Sequence, residues 1–528
     1  MPEPRATGDA SRGGYVTDVP YPRAYVPQIT PPVLRLVAAL NGTPPPKEQD
    51  FDYCELGAAV GDTLATLAAA NPHSRFVGIE LSPEHVAQAN LRIAGGRLTN
   101  VRMLQHDFED LAKPEGPELP LFDFIVAHGV WTWVSPLKRA ALLAFVESHL
   151  KPGGLFYLSY NVLPGWSSVE PLRRLMLEHT TQAKSTLDRA REGVALVQRL
   201  ADSGAAYLAS HPTARSMLAL MQKGGLPYVV HEYFHADWEP MYFADVARKL
   251  GESGFAFLGR VPLYANIRAL AIPPSLTKMA ESVEDRIALE GLSDFATNEL
   301  FRSDVYVKGP ARRAVSETQY YFEGTTFGTL SPRESMKREV KLPFYTLDFK
   351  DPVYDTMFGL LANEPQTAMA LARAPALANV GQARVGDLLQ NLVLGGQVVP
   401  MPGYTLEVRR ELAEGARVRI PLPYNELVLE EALREEGPLV FASPVTGAGV
   451  QISLLEALCI RIVTCEPPAT DLGAAVRAYA ASRPMPITYG EKKIKDAEEL
   501  VKIMAREIER FRAGPLKKLV LLGVLGPA

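Results

Sequence analysis

Short, almost unbroken apolar runs recur through the first half of the chain: FDYCEL from Phe51, RFVGIEL from Arg75, VRMLQHDF from Val101, FDFIVA from Phe122 and LFYLSY from Leu155. Each is too short for a helix and too continuous for a strand with one wet face. They predict strands covered on both faces, the pattern of a parallel sheet between layers of helices. Apolar positions three and four apart predict those helices. One covers Gly61 to Ala70, and the next starts at Ser82-Pro83-Glu84, with Ser82 as N-cap and Pro83 in the first helical position. A third runs from Ser135 to Leu150, with Pro136 near its start, and Gly153-Gly154 ends it. This alternation is that of a doubly wound α/β sheet. Leu172 to Gln222 interrupts it with a long helical insertion poor in β-branched residues. Helix resumes from Pro240 to Leu250, Gly254 turns the chain, and FAFLGRV and YANIRALAI predict a closing antiparallel pair.

The first strand runs into Gly57-Ala58-Ala59-Val60-Gly61-Asp62, with Glu55 just before it. Gly57 and Gly61 stand where backbone passes close to a ligand and a Cβ would collide with it. A dinucleotide site requires G-x-G-x-x-G beneath a pyrophosphate. Here the order differs, and an acid beside the turn suits a cofactor with a cationic end. Glu80 closes the second strand at the carboxyl edge of the sheet, followed by Leu81, and a carboxylate there can accept from both ribose hydroxyls. Asp107 and Phe108 close the third strand, an acid and a ring placed for the edge and face of an adenine. A lone glycine turn is also common without a ligand, but three consecutive strands ending in Gly, Glu and Asp are more specific. They predict a Rossmann-like site for S-adenosylmethionine formed by Glu55, Gly57, Ala59, Gly61, Glu80, Leu81, Asp107, Phe108 and, after the fourth strand, His128.

These residues carry a resemblance. YPRAYVPQITPPVL, YCELGAAVGD, FVGIELSPEHVAQA, FDFIVAHGVWTWVSP, LKPGGLFYLSYNVLPGW and LPYVVHEYFHADWEPMYFADVARKLGESGF are similar to segments of class I S-adenosylmethionine-dependent methyltransferases carrying a methyltransferase regulatory domain. That bacterial family includes rickettsial-type protein-lysine methyltransferases. The matching segments lie between Tyr21 and Pro274, about half of the 528 residues. The resemblance implies a seven-stranded methyltransferase sheet, methyl transfer, and lysine in a protein as the acceptor. It also exposes a departure: the family's turn usually runs G-C-G-x-G, and Ala59 replaces the middle glycine. The extra methyl group is either absorbed by a small backbone shift or weakens cofactor binding. The second case leaves open a non-catalytic binding or regulatory protein.

Ligands of open α/β sheets bind outside the carboxyl ends of the strands. The fourth strand delivers His128-Gly129-Val130-Trp131-Thr132-Trp133, and the fifth Tyr160-Asn161, followed by Pro164-Gly165-Trp166. Walls of Trp131, Trp133 and Trp166 would attract a sulfonium and an alkylammonium alike, core packing being the alternative for each. The reaction needs donor and acceptor held in line and an unprotonated nucleophile. A lysine titrates at about 10.4, so an apolar pocket that disfavours its ammonium form would help. His128 is the candidate proton acceptor or cofactor-edge hydrogen bond, with Tyr160 and Asn161 orienting the amine; a structural histidine is the alternative. Tyr21 or Tyr25, in a Pro- and Tyr-rich arm before the helix Pro32 to Leu40, either covers the site or belongs to a tethered arm. His231, in a family-like HEY sequence, joins the substrate side by resemblance. His231-Glu232-Tyr233-Phe234-His235 also matches HExxH, but Tyr233 and Phe234 favour strand or loop over the helix that a zinc pair requires, so no metal is expected.

Composition narrows the partners. A net charge of −5 and a pI near 6.1 lack the basic excess of nucleic-acid binding. Cys54, Cys459 and Cys465 are too few and too scattered for a disulfide framework or a zinc site. With no charged-then-apolar leader and no apolar run of about 20 residues, the expectation is a cytoplasmic protein without membrane insertion. The length suggests about three or four domains. They are expected as an arm and lid at 1–50, the cofactor-binding core at 51–171 and 226–274, the insertion at 172–225 (a cap, a homodimerisation element or plain packing), a helix-rich middle domain at 275–375, and a C-terminal domain at 376–528. In the last, Ala376 to Glu407 predicts helices and a short strand pair resembling a winged helix, but Val385 to Leu394 carries Asp387 and no Lys or Arg, which disfavours DNA. Lys492 to Arg512 predicts a charged helix with Leu500, Val501, Met504, Ile508 and Phe511 on its apolar side. Appendages of this size suit selection of a protein or peptide substrate. A small-molecule N- or O-methyltransferase, with His128 as base, is the alternative.

Overall fold

The computed structural model describes the chain apart from residues 1–10, 13–14, 17–18, 20–21, 112, 114–115, 406–416, 435–436, 465–471, 483–486, 490–491 and 495. Five parallel strands form the front of the central sheet: β1 (Asp52–Leu56), β2 (Arg75–Glu80), β3 (Val101–Gln105), β4 (Phe122–Ala127) and β5 (Leu150–Leu163). Their spatial order is 3-2-1-4-5. β1 and β4 are buried at every position, which is why their sequences show no polar alternation. Helices α1 (Pro31–Leu40), α2 (Asp62–Ala70), α3 (Pro83–Gly95) and α4 (Pro136–His149) cover the faces. Two start at serine caps, the first of them expected: Ser82 Oγ accepts from His85 N–H at 3.4 Å and Ser135 Oγ from Lys138 N–H at 3.3 Å.

Between β5 and the next strand the insertion is helical, as its composition predicts: α5 (Glu170–His179), α6 (Thr186–Asp202) and α7 (Pro212–Tyr233) pack around Met176, Val197, Met221 and Val230. The two-residue strand β6 (Met241–Tyr242) then extends the far end of β5, and α8 (Phe243–Glu252) leads into β7 (Phe255–Arg260).

The sheet closes differently from expectation. YANIRALAI is not a strand: Leu263–Asn266 is a 3-10 turn and Arg268–Ala271 one turn of α-helix. Asn266 causes the break, its amide bonding the backbone N–H and C=O of Arg260 and the C=O of Leu263. The partner of β7 is instead β8 (Phe301–Lys308), which follows α9 (Arg286–Thr297) and inserts antiparallel between β5 and β7. The full order is 3-2-1-4-5-8-7, so the sheet draws on residues well past the expected limit of 274. Its charged residues disguised β8, because Arg302 is buried against Glu290 and Asp294 of α9, and Asp304 against Arg302 and Tyr160.

The C-terminal region is joined to the cofactor-side helix. Ala65, Ala69 and Ala70 of α2 share one core with Tyr424, Phe441 and Val450, from α10 (Pro423–Arg434) and the hairpin β9 (Val440–Ser443) and β10 (Ala448–Gln451). Helix α11 (Ala497–Ala513) buries Leu500, Met504, Ile508 and Phe511 in that core, with the predicted spacing. Val399–Pro400, expected as the first strand of a wing, pairs with Phe327–Gly328; the second expected strand runs into residues outside those described. Among the described residues, no helix is long and apolar enough to cross a membrane.

Candidate functional site

Outside the carboxyl ends of β1 to β4, one cavity gathers Glu55, residues 57–63, Glu80, Leu81, residues 106–108, residues 128–130, Trp133, Val134 and Lys138. Every residue predicted for the cofactor lines it: Glu55, Gly57, Ala59, Gly61, Glu80, Leu81, Asp107, Phe108 and His128. The turn explains part of this. Gly57 and Gly61 have φ of +76° and +70°, where glycine is favoured, and a Cβ on Gly57 would stand 2.6 Å from Val130 Cγ2. Ala59 shares this backbone region at φ +46°, and its N–H donates to Glu80 Oε2 at 2.9 Å. An L side chain is strained there. Ala59→Gly is therefore expected to stabilise the fold by up to about 1 kcal/mol once glycine's extra freedom in the unfolded chain is set against the strain. The urea midpoint checks this; a drop would mean that the Ala59 methyl group contributes packing that outweighs the strain.

The acids around the turn are unevenly matched. Glu80 is fixed twice, since Oε1 also accepts from Ser82 N–H at 3.0 Å, yet each oxygen retains a lone pair for another donor. Asp107 Oδ2 is paired with Lys138 Nζ, and Oδ1 accepts from Glu109 N–H at 3.4 Å. Asp62 lies between Arg23 at 3.0 Å and Arg92 at 3.4 Å, and both arginines also reach Glu431 of α10, at 3.3 and 2.9 Å. Glu55 differs: it is only 7% exposed and its Oε2 has no partner. Burial pushes its carboxyl up to about 8, with Glu80 and Asp62 adding to the rise.

His128 ends β4. Its Nδ1 lies 2.9 Å from Tyr157 Oη and 3.1 Å from Ser159 Oγ; Ser159 Oγ accepts from Gly129 N–H, and Tyr157 O–H donates to Ser303 Oγ of β8 at 2.9 Å. Burial pushes the imidazolium down to about 4, so the ring is neutral near pH 7 and Nε2 is the nitrogen left for a bound molecule.

The N-terminal arm reaches the cavity, but not through the expected Tyr25, which is a tether. Pro22, Ala24 and Val26 line the cavity, while Tyr25 Oη accepts from Gly449 N–H at 2.7 Å and ties the arm to the C-terminal hairpin. Val26 N–H donates to Thr63 Oγ1 at 2.9 Å, fixing the arm over α2. Tyr21 lies outside the described residues.

Several predicted substrate-side residues are elsewhere. Tyr160 is fully buried on the opposite face of β5, its O–H donating to Asp304 Oδ2 at 2.6 Å. Successive strand residues point to opposite faces, so Tyr160 and Asn161 cannot both serve one site. Asn161 is on the face of β5 that meets His128 but is not among the residues lining the cavity; its N–H donates to Thr132 Oγ1 at 2.8 Å. Trp131 is buried under the sheet, and Trp166 donates to Leu300 O at 2.8 Å and packs edge-on to Trp238 in the insertion core. Of the three tryptophans, Trp133 lines the cavity. His231 Nε2 lies 3.0 Å from Val19 O, away from it. Contrary to expectation, His231 to Tyr233 is helical; the helix ends there, leaving His235 beyond it. Lys138, Tyr157, Ser159 and Ser303 went unpredicted. Lys138 had a signal three residues after its cap, and Tyr157 and Ser159 had one in their period-two spacing from Asn161.

A family model described as "Methyltransferase domain" matches residues 54–156, and one described as "Predicted methyltransferase regulatory domain" matches residues 226–308, ending with β8. An uncharacterised protein of Synechocystis sp. is 26% identical over 97% of this chain and 99% of its own length. One from Rickettsia prowazekii is 27% identical over 56% of this chain and 53% of its own. The structure of PKMT2 from Rickettsia typhi in complex with AdoHcy covers 96% of this chain and 100% of its own at a TM-score of 0.68, with 19% identity, a likeness of fold.

Proposed function

Because this chain is an S-adenosylmethionine-dependent methyltransferase carrying a methyltransferase regulatory domain, we propose that it methylates the side-chain amine of lysine in a protein or peptide. The cavity suits the cofactor. Glu55, buried and with an unpaired oxygen, would take its cationic end, Glu80 its ribose hydroxyls, and Asp107 with Phe108 its adenine. Gly57 would hold the turn tight against Val130, where a Cβ would collide. When bound, the cofactor supplies a methyl group on a sulfonium and leaves as a neutral thioether, the electron pair of the broken C–S bond staying on sulfur.

The observation that carries the acceptor assignment is the neutral His128 beside Trp133. Burial that pushes an imidazolium down to about 4 also disfavours a lysine ammonium, so the amine is helped to shed its proton to solvent and attack through its lone pair. A neutral His128 places no like charge against a sulfonium, and the Trp133 ring attracts cations. Tyr157 and Ser159 hold the His128 ring so that Nε2 is its remaining contact. The resemblance of YCELGAAVGD and its companion segments to protein-lysine methyltransferases supports the same acceptor.

Tritiated methyl transfer from S-adenosylmethionine into bacterial lysate protein, compared with a small-molecule extract, tests this. Label is expected in protein and, after hydrolysis, in methylated lysine. Label confined to the small-molecule extract would overturn the reading.

A further inference from the structure

β8 closes the segment matched by the regulatory-domain model, and it lies directly against β5 beside His128. The register pairs Phe301 with Asn161, Ser303 with Ser159 and Val305 with Tyr157. Directly paired residues share a face, so Phe301, Ser303, Asn161, Ser159 and Tyr157 project to one side, and Arg302, Asp304 and Tyr160 to the other. The bond from Tyr157 to Ser303 and that from Tyr160 to Asp304 agree with this division. On the first side, Phe301 is a large ring left 38% exposed, standing at 74° to His128 with centroids 6.0 Å apart. Across from it, Asn161 is 2% exposed with its Nδ2 unpaired. A buried amide donor without a partner is costly unless a ligand supplies an acceptor, and an exposed ring beside a site for a transferred cationic group offers its face to alkylammonium.

We propose that Phe301 and Asn161 form the acceptor side of the site and receive the lysine side chain of a polypeptide: Phe301 packs on the methylene stem, and the Asn161 amide bonds a carbonyl of the incoming main chain. The regulatory domain thus supplies a wall of the substrate site rather than acting from a distance. This rests on the protein-lysine reading above. It goes further in assigning substrate contact to a residue of β8 and in making Asn161 a contact to main chain as well as to the amine's surroundings.

The test uses the full chain loaded with S-adenosylhomocysteine and a fluorescent lysine-containing peptide chosen from the proteins that the wild type labels. Phe301→Ala is expected to weaken peptide binding by about tenfold, the range of a lost apolar packing contact of this size, and Phe301→Tyr to restore it. In turnover, Phe301→Ala should raise KM for the peptide with kcat nearly kept, and leave the Kd for S-adenosylmethionine within about twofold, since cofactor and acceptor contacts are separate. Asn161→Leu should weaken the peptide while keeping or raising the urea midpoint, because it removes a buried unpaired donor. A lower midpoint with unchanged peptide affinity would make Asn161 structural and overturn its part. If the wild type labels lysine but both variants bind the peptide as the wild type does, the acceptor surface is refuted while the lysine reading stands. If the wild type labels no protein, both fall.

Discussion

Replacing Glu55 by glutamine should remove the acid limb from the pH dependence of S-adenosylmethionine binding. In the free protein the Glu55 carboxyl keeps its proton up to about 8. A cation held by this group requires the carboxylate, so below that pH binding must expel the proton. Each unit then lowers the apparent affinity by a factor of ten, roughly a hundredfold between pH 8 and pH 6. The α-ammonium of the cofactor, which titrates at about 7.7–8.0, acts in the other direction, losing its charge as pH rises. The wild type should therefore bind most tightly near pH 8, and Glu55→Gln should show only the alkaline loss. Calorimetry in buffers of different ionisation heat should detect release of about one proton on binding to the wild type at pH 6.5, and none to the variant. An acid limb that persists in the variant would move the cation to another carboxylate.

The same shift has a sign in stability. Because the folded-state value lies above the ordinary 4.5, the folded protein holds this proton more tightly than the unfolded chain. Glu55 therefore becomes increasingly destabilising as pH rises from about 4.5 to 8, and constant above. Without ligand, Glu55→Gln should melt higher than the wild type at pH 8, and the difference should vanish near pH 4.

The second large effect is expected at Arg302, which is fully buried near the start of β8. Its guanidinium reaches Asp294 at 2.6 Å, Asp304 at 2.9 Å and Glu290 at 3.0 Å, and sits 3.9 Å from the Phe243 ring centroid. Tyr160 adds a hydrogen bond to Asp304. Arg302→Ala would leave several acids buried against one another, a loss of about 3–5 kcal/mol in urea denaturation. Arg302→Lys should recover only part of it, because an ammonium cannot fork to three carboxylates. A loss below about 1 kcal/mol would mean that water replaces the guanidinium. Since Arg302 faces away from His128, the main damage should be to folding, with the acceptor face affected only as β8 loses its seat.

Much of the cofactor side was legible because it is local. The turn, its flanking strand and the acids that end β1 to β3 belong to consecutive strand–turn–helix units, and parallel pairing brings their carboxyl ends to one edge. The substrate side was legible only in part. Adjacent residues Tyr160 and Asn161 were assigned to one site although strand geometry separates them; counting by twos from Asn161 would have led to Ser159 and Tyr157. Trp131 and Trp166 share composition with Trp133, and nothing in their immediate neighbours says which ring meets the cavity.

By itself the sequence determined the parallel α/β sheet, the helical insertion, the glycine turn, and the row of acids at the sheet edge. All of these arise from contacts between near neighbours and from periodicity. Tertiary structure alone decided that β8 completes the sheet, since its buried Arg302 makes sense only when α9 supplies Glu290 and Asp294. It also decided that Phe301 meets His128, that Ser303 accepts from the Tyr157 hydroxyl beside that ring, and that Arg23 and Glu431, separated by 408 positions, share a charge network with Asp62 at the turn. Such pairings are set by how distant segments pack, and no local pattern of apolar and polar residues encodes which distant partner will satisfy a charge.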